Sequence, residues 1–315
     1  MAAAVLALVS CQKEASVADG NTGDGISASF TVDIPVGDST KAAADGDGAA
    51  ASVNRCLMQV WWKSTAGDKL ILEKSAAVTD LKAEFKNITL IKDQDYDFLF
   101  WADSAAVDAG GFSDLYYTTT DLHEVSIKGS YKANDDRRDA FFAAKAMTDV
   151  TTTFSETVKL YRPFAQLNII TTDAKAIYDQ LPATDRDARF AEMMPDSTLV
   201  KFSAPSKFNV LTGKTVGGNV DFGVKVAVYK TPDATKDANS LTMDYIFAPE
   251  AESSVNTISF KATNVSGMKD VSRTFTNIPI QRNWRTNIKG KILSTTGEFN
   301  VEVVPAWDGE KNPEI

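Results

Sequence analysis

The chain has 315 residues, 43% of them hydrophobic and 24% charged, an ordinary globular composition with length enough for two domains of about 150 residues each. Lys and Arg number 33 against 42 Asp and Glu, and the resulting formal charge of −9 argues against a nucleic-acid partner. One histidine, His123, and two cysteines, Cys11 and Cys56, exclude multi-histidine metal centres, Cys₄ zinc sites and disulfide frameworks. No metal, no cofactor and no enzymatic activity are expected.

Met1 to Ser10 (MAAAVLALVS) is uncharged, small and apolar, too short to span a bilayer and suited to the core of a signal peptide. Leu8-Val9-Ser10-Cys11 resembles the bacterial lipobox, which predicts cleavage before Cys11 and lipidation of its thiol, palmitate included. No Lys or Arg precedes Cys11, so a basic segment upstream of Met1 is expected. Several acyl chains on one cysteine suffice for stable anchoring. Residues 11–25 are polar and rich in Gly and Asp, a flexible tether between lipid and fold.

Ile26 to Val36 alternates, with Ile26, Ala28, Phe30, Val32 and Ile34 on one face, and reads as a half-buried strand. Residues 37–52 (GDSTKAAADGDGAAAS) read as an exposed loop within reach of a protease. Cys56 to Trp62 and Leu70 to Leu72 flank Thr65-Ala66-Gly67-Asp68 at hairpin spacing, with Cys56 as a buried small hydrophobe. Phe85 to Ile91 and Tyr96 to Trp101 read as a second pair across Lys92 to Asp95, and Tyr96, Phe98 and Phe100 share a core face. A boundary is expected near Arg162 to Ala165. After it, Thr172 to Met194 reads as one short helix, with Asp173 as cap and Pro182 as stop. Further short strands follow to Phe299–Val304, with Val216-Gly217-Gly218-Asn219 as a hairpin turn. The pattern predicts an all-β chain of two antiparallel β-sandwiches, residues 26–163 and 164–315, with the helix in the second.

Chemistry-bearing motifs are sparse. Asp93-Gln94-Asp95-Tyr96-Asp97 lacks the glycine and closing glutamate of a calcium loop and reads as a solvated turn. His123 has no second ligand nearby in sequence, and no nucleophile elbow, phosphate loop or dinucleotide fingerprint occurs. Trp61, Trp62 and Trp101 lie in predicted strands, where core packing precedes sugar stacking.

Four phrases, in this order and spacing, resemble the fimbrillin (type V pilin) lipoproteins of Bacteroidota. They are Tyr96-Asp97-Phe98-Leu99-Phe100-Trp101-Ala102-Asp103, Asp139-Ala140-Phe141-Phe142-Ala143, Leu160 to Asn168 (LYRPFAQLN), and Asn277 to Gly290 (NIPIQRNWRTNIKG) with the strand and Pro305-Ala306-Trp307-Asp308 that follow. The resemblance implies tandem transthyretin-like sandwiches exported as lipoproteins to the cell outer membrane and displayed in a surface fimbrium or pilus for cell adhesion. It implies a trypsin-like maturation protease that removes the first strand, here Ile26 to Val36, which with its processing loop spans residues 26–41. The cut would fall between Lys41 and Ala42, where arginine is commoner in the family, with Arg55 as the alternative. Head-to-tail self-polymerisation by strand donation would follow, with Phe299, Val301 and Val303 of strand 299–304 as the donor side chains. Its partners would be other fimbrial subunits and a host or bacterial surface receptor. The alternative is a non-polymerising surface lipoprotein that binds glycan or host protein. Asp-Ser-Thr/Ala triplets at Asp38, Asp103 and Asp196 resemble an O-glycosylation signal of the same phylum.

Overall fold

The computed structural model describes residues 13–14 as backbone, and 25–35, 52–264, 270–294 and 298–304. Its first half contributes β1 (Lys13–Glu14), β2 (Ile26–Asp33), β3 (Arg55–Lys63), β4 (Lys69–Ala77), β5 (Lys82–Leu90) and β6 (Gln94–Asp103). The short β7 (Ala106–Asp108), β8 (Gly111–Ser113), β9 (Tyr117–Thr118) and β10 (Val125–Ile127) precede β11 (Ala140–Val150) and β12 (Phe154–Lys159). The second half contributes β13 (Phe164–Thr171), α1 (Ala174–Asp179), α2 (Arg186–Met193), β14 (Ser197–Asn209), β15 (Lys214–Phe222) and β16 (Val226–Ala227). It ends with β17 (Asn239–Phe247), β18 (Ser253–Thr263), β19 (Val271–Ile280), β20 (Arg285–Gly290) and β21 (Phe299–Val304). The protein is all-β, as its alternating patterns predict.

Four main sheets follow one another, each filled by side chains that alternate across its strands. A three-stranded sheet, β12-β2-β5, faces a five-stranded sheet, β1-β4-β3-β6-β11. Between them lie Phe30, Val32, Phe85 and Ile88 from one side and Cys56, Met58, Phe98 and Phe100 from the other. The opposite face of the five-stranded sheet presents Leu57, Leu99 and Trp101 to Phe164, Met243, Tyr245 and Phe247. Those last residues belong to the third sheet, β17-β13-β20-β21, whose far side (Leu167, Ile169, Ile288) packs on Val200, Phe260 and Phe275 of the fourth, β19-β18-β14 and its extensions. Each sandwich thus has its own core, and a third apolar cluster joins them.

Two further features fasten the joint. The segment after β6 leaves the first half, and β10 pairs with β14 of the second before the chain returns at β11. At the crossover, Asp139 accepts hydrogen bonds from Arg162 Nε and Nη2 at 2.9 and 2.8 Å, and both side chains are fully buried. Removing one partner of such a pair costs about 3–5 kcal/mol, because the other charge is stranded in the core.

Several local expectations are corrected. Phe85 to Ile91 and Tyr96 to Trp101 do not form a hairpin: β5 pairs with β2, while β6 pairs with β3 and β11, so the 91–95 turn changes sheets. Tyr96 Oη stitches that crossing by donating to the Ile91 carbonyl and accepting from the Ile91 amide, each at 3.0 Å. The single helix is two, because Pro182 and the left-handed Asp185 (φ 58°) interrupt it. Asp173 caps nothing with its side chain; its carboxylate instead accepts from Thr171 and from the Ser294 amide. Gly217 and Gly218 lie inside β15, where the pairing with β14 slips between Pro205 and Lys207. Gly217 has φ +75°, so the glycines serve a bulge and not the turn. Two pairings are parallel, β2 with β12 and β13 with β20, against the antiparallel expectation.

Candidate functional site

The first expected site residues, Cys11, Lys41 and Ala42, lie outside the described residues. The strand they would release does not. β2 is the middle strand of its sheet, parallel to β12 on one side and antiparallel to β5 on the other. Ile26, Ala28, Phe30, Val32 and Ile34 are all buried on one face, and Ser27, Ser29, Thr31 and Asp33 are half-exposed on the other. This is the period-2 pattern of a strand with one wet face. Phe30 is its anchor, with ring centroids 4.7 Å from Phe98, 5.3 Å from Phe100 and 5.7 Å from Phe154. At the strand's end Asp33 lies 3.6 Å from Lys82 Nζ, its register partner on β5, and directly across from Lys159 on β12. The Ile34 amide donates to Leu81 O, and the Leu160 amide to Asp33 O, each at 2.9 Å. Without β2, both β5 and β12 would expose a bare edge beside an apolar slot.

The expected donor strand differs in every respect but its alternation. Among the described residues β21 pairs antiparallel with β20 alone, at the rim of the third sheet. Phe299 and Val301 are 43% and 37% exposed, and Val303 is half-buried. The Phe299 ring meets Phe275 edge-on at 4.9 Å. Gly290, its register partner, is packed so closely that a Cβ there would collide with the Glu298 carbonyl and the Phe299 backbone. The other rim of the same sheet, β17, is buried along all nine residues.

Arg55, the alternative cleavage residue, is the first residue of β3 and is buried. Asp103 accepts from its Nε and Nη2 at 2.9 and 2.8 Å, and Asp114 from its Nη1 at 3.0 Å. Burial works against its charge, but Asp103 and Asp114 together hold its pKa above the ordinary arginine value. A protease could bind this bond only after β3 had separated from both neighbours. The sequence showed the apolar strand beside Arg55; the two carboxylates that bury it come from 48 and 59 residues away.

The remaining residues singled out by sequence are structural. Cys56 is fully buried, and burial pushes its thiol pKa up, away from nucleophilic use. The His123 ring lies 3.1 Å from Asp121 and stacks edge-on against Trp61 at 4.4 Å. Trp101 is completely buried. Among the glycosylation-like triplets, Ser104 is buried and bonded to Ser52, while Ser197 is tied to Asp196 and Thr263; Ser39 lies outside the described residues. Among the described residues, no group of three or more His, Cys, Asp or Glu could hold a metal ion, and no helix is long and apolar enough to cross a membrane. Asp244, unremarked in the sequence, is buried in β17 and takes a hydrogen bond from Tyr131 Oη at 3.1 Å. Burial raises its pKa to about 7, against the hydrogen bonds from Tyr131 and Thr242.

The decisive comparison is with a family model that matches residues 20–314, from before β2 to beyond β21. The chain belongs to the DUF6562 family, a family of unknown function. No curated protein matches this DUF6562 chain. Among solved structures, it is similar to a candidate cell adhesion protein from Bacteroides ovatus, at 9% identity and TM-score 0.48, over 90% of this chain and 97% of that one. It is also similar to candidate polysaccharide-binding proteins from Bacteroides thetaiotaomicron, at 11% identity and TM-score 0.49, over 90% of this chain and 96% of that one. A fimbrial assembly protein from Parabacteroides distasonis is similar at 11% identity and TM-score 0.43, over 89% and 96% of the two chains.

Proposed function

We propose that this DUF6562 protein is a structural subunit of a surface fimbria that acts in adhesion by assembly, without catalysis. It is exported as a lipoprotein anchored through Cys11, cut after Lys41, and polymerised when a C-terminal strand replaces its first strand. The observation that carries this reading is the position of β2. It is a central strand that completes a hydrophobic core, yet it joins β3 only through residues 36–51, the Ala-, Gly- and Asp-rich stretch that contains Lys41. One cut there leaves β2 held to the rest of the fold by non-covalent contacts: ladder hydrogen bonds, apolar packing and the Asp33–Lys82 pair. Its departure would open a slot with two unpaired edges, which a donated strand satisfies by β-augmentation. The exposed apolar residues of β21 supply a donor whose present packing is poor.

Mass-spectrometric sequencing of the N-terminus from material sheared off native cells tests this reading. A start at Ala42 is the expected result. An acylated Cys11 as the sole N-terminus would overturn the processed-subunit reading in favour of a lipoprotein that keeps its first strand and binds glycan or protein as a monomer.

A further inference from the structure

The two ends of this chain carry the same strand written twice. Residues 30–34 read Phe-Thr-Val-Asp-Ile, and residues 299–303 read Phe-Asn-Val-Glu-Val. The aromatic, the valine, the acidic residue and the β-branched aliphatic recur in the same order and at the same spacing. Upstream the match continues in size, since Gly297 stands two residues before Phe299 where Ala28 stands two before Phe30.

We infer that residues 299–303 of one copy enter the slot of β2 in a second copy of this chain, in the direction of β2 and in a single register. Phe299 takes the place of Phe30, Val301 of Val32 and Val303 of Ile34. This rests on the strand-donation reading above and adds the polarity and the register to it.

The slot itself discriminates among the alternatives. In the inferred register Phe299 enters the site now ringed by Phe98, Phe100 and Phe154. Val301 takes the place opposite Ala83 and Val158, which now receives Val32. Glu302 then stands where Asp33 stands, opposite Lys82 on β5 and Lys159 on β12. A slip of two residues that put Val301 in the Phe30 site would press Phe299 into the position of Ala28, which has no exposed surface and no room for a ring. It would also bring Glu302 to the position of Thr31, directly across from Glu84. Reversing the strand about Val301 places Glu302 against Glu84 as well, and leaves the aromatic site to a valine. Like charges directly opposed across a strand pair are unfavourable, and opposite charges favourable. Size and charge therefore select the same alignment.

The occupant is a second copy because of where the slot lies. The β12-β2-β5 sheet covers one face of the five-stranded sheet, while β13 and β17, the sheet-mates of β21, pack on its other face. A whole sheet layer, about 10 Å thick, separates the slot from the protein's own C-terminal strand.

The test uses the full chain with Cys11→Ser and one site-specific protease sequence inserted after Lys41. One version carries Lys82→Cys with Glu302→Cys, the other Glu84→Cys with Glu302→Cys. All three substituted strand positions are exposed, so the changes leave the cores intact. After cleavage and mild oxidation, non-reducing gels are expected to show a disulfide-linked ladder for the Lys82 pair, at least ten-fold stronger than for the Glu84 pair or for uncleaved protein. A ladder for the Glu84 pair instead overturns the register and polarity, while the assembly reading survives. A cross-linked species of monomer size overturns the second-copy occupant. Cleaved protein that stays monomeric and unlinked in both versions overturns this inference and the assembly reading together.

Discussion

β2 and β21 share an alternating pattern, yet one is the best-buried strand of its sheet and the other the most exposed of its own. Nothing in the side chains accounts for this: Phe30 is 1% exposed and Phe299 43%. The difference is position. β2 has a hydrogen-bonded neighbour on each side and an opposing sheet over its apolar face, whereas among the described residues β21 has one hydrogen-bonded neighbour and an exposed Phe299 and Val301. Alternation states which face of a strand seeks burial; the sheet decides whether the burial is granted. A strand at a rim whose apolar face is left wet is held chiefly by its backbone, and can be given up at small cost.

The contrast breaks if the two phenylalanines prove energetically alike. Phe30→Ala is expected to lower the unfolding free energy of the uncleaved protein by about 3–5 kcal/mol, and Phe299→Ala by under about 1 kcal/mol, read from urea denaturation. The third sheet sharpens it, because its other rim, β17, is wholly buried and carries Asp244. The folded pKa of about 7 lies above the ordinary carboxylate value of 3.8, so the folded state binds the proton more tightly. That stability is fully present below about pH 4 and is lost as the pH rises through 7, by on the order of 4 kcal/mol at most. Asp244→Asn, which keeps an acceptor for Tyr131, is expected to flatten the decline between pH 4 and pH 7.5 in thermal unfolding. A smaller effect is expected at Gly290. Gly290→Ala inserts a methyl group against Glu298 and Phe299, and should cost about 1–3 kcal/mol while loosening β21 from β20. Hydrogen exchange should then rise at 299–304 and stay unchanged at 26–33; a rise at both would mean that the two strands are not independent.

Much of the architecture was legible, and the failures have a common cause. Period-2 runs such as Tyr96 to Trp101 identify strands and their core faces, and the structure places Tyr96, Phe98 and Phe100 together as the pattern predicts. Partners are a different matter. A run of alternating residues looks the same whether it pairs with its sequence neighbour or crosses to another sheet, so β5 and β6 read as a hairpin that does not exist. The parallel pairing of β2 with β12 joins segments 126 residues apart at Ser27 and Thr153, beyond any local signal. The strands β2 and β21 themselves were legible from their alternation, and the burial of Arg55 was legible by half. Its apolar neighbours stand beside it in sequence, whereas Asp103 and Asp114 reach it through the fold. Asp244 escaped notice because a lone acidic residue in a strand carries no mark of burial until the sheet around it is known.

The placement of β2 between β12 and β5 also fixes how a strand in that slot answers a pulling force. Its ladder bonds run across the strand more than along it, from Ile26 to Asp33 on the β5 side and from Ala28 to Asp33 on the β12 side. Tension along the strand axis therefore loads two rows of bonds in shear, all at once, instead of peeling them one after another. A strand leaving sideways from a rim, as β21 can, meets its bonds singly. A donor seated in the central slot would be secured against the direction in which a filament is stretched, even though no covalent bond holds it there.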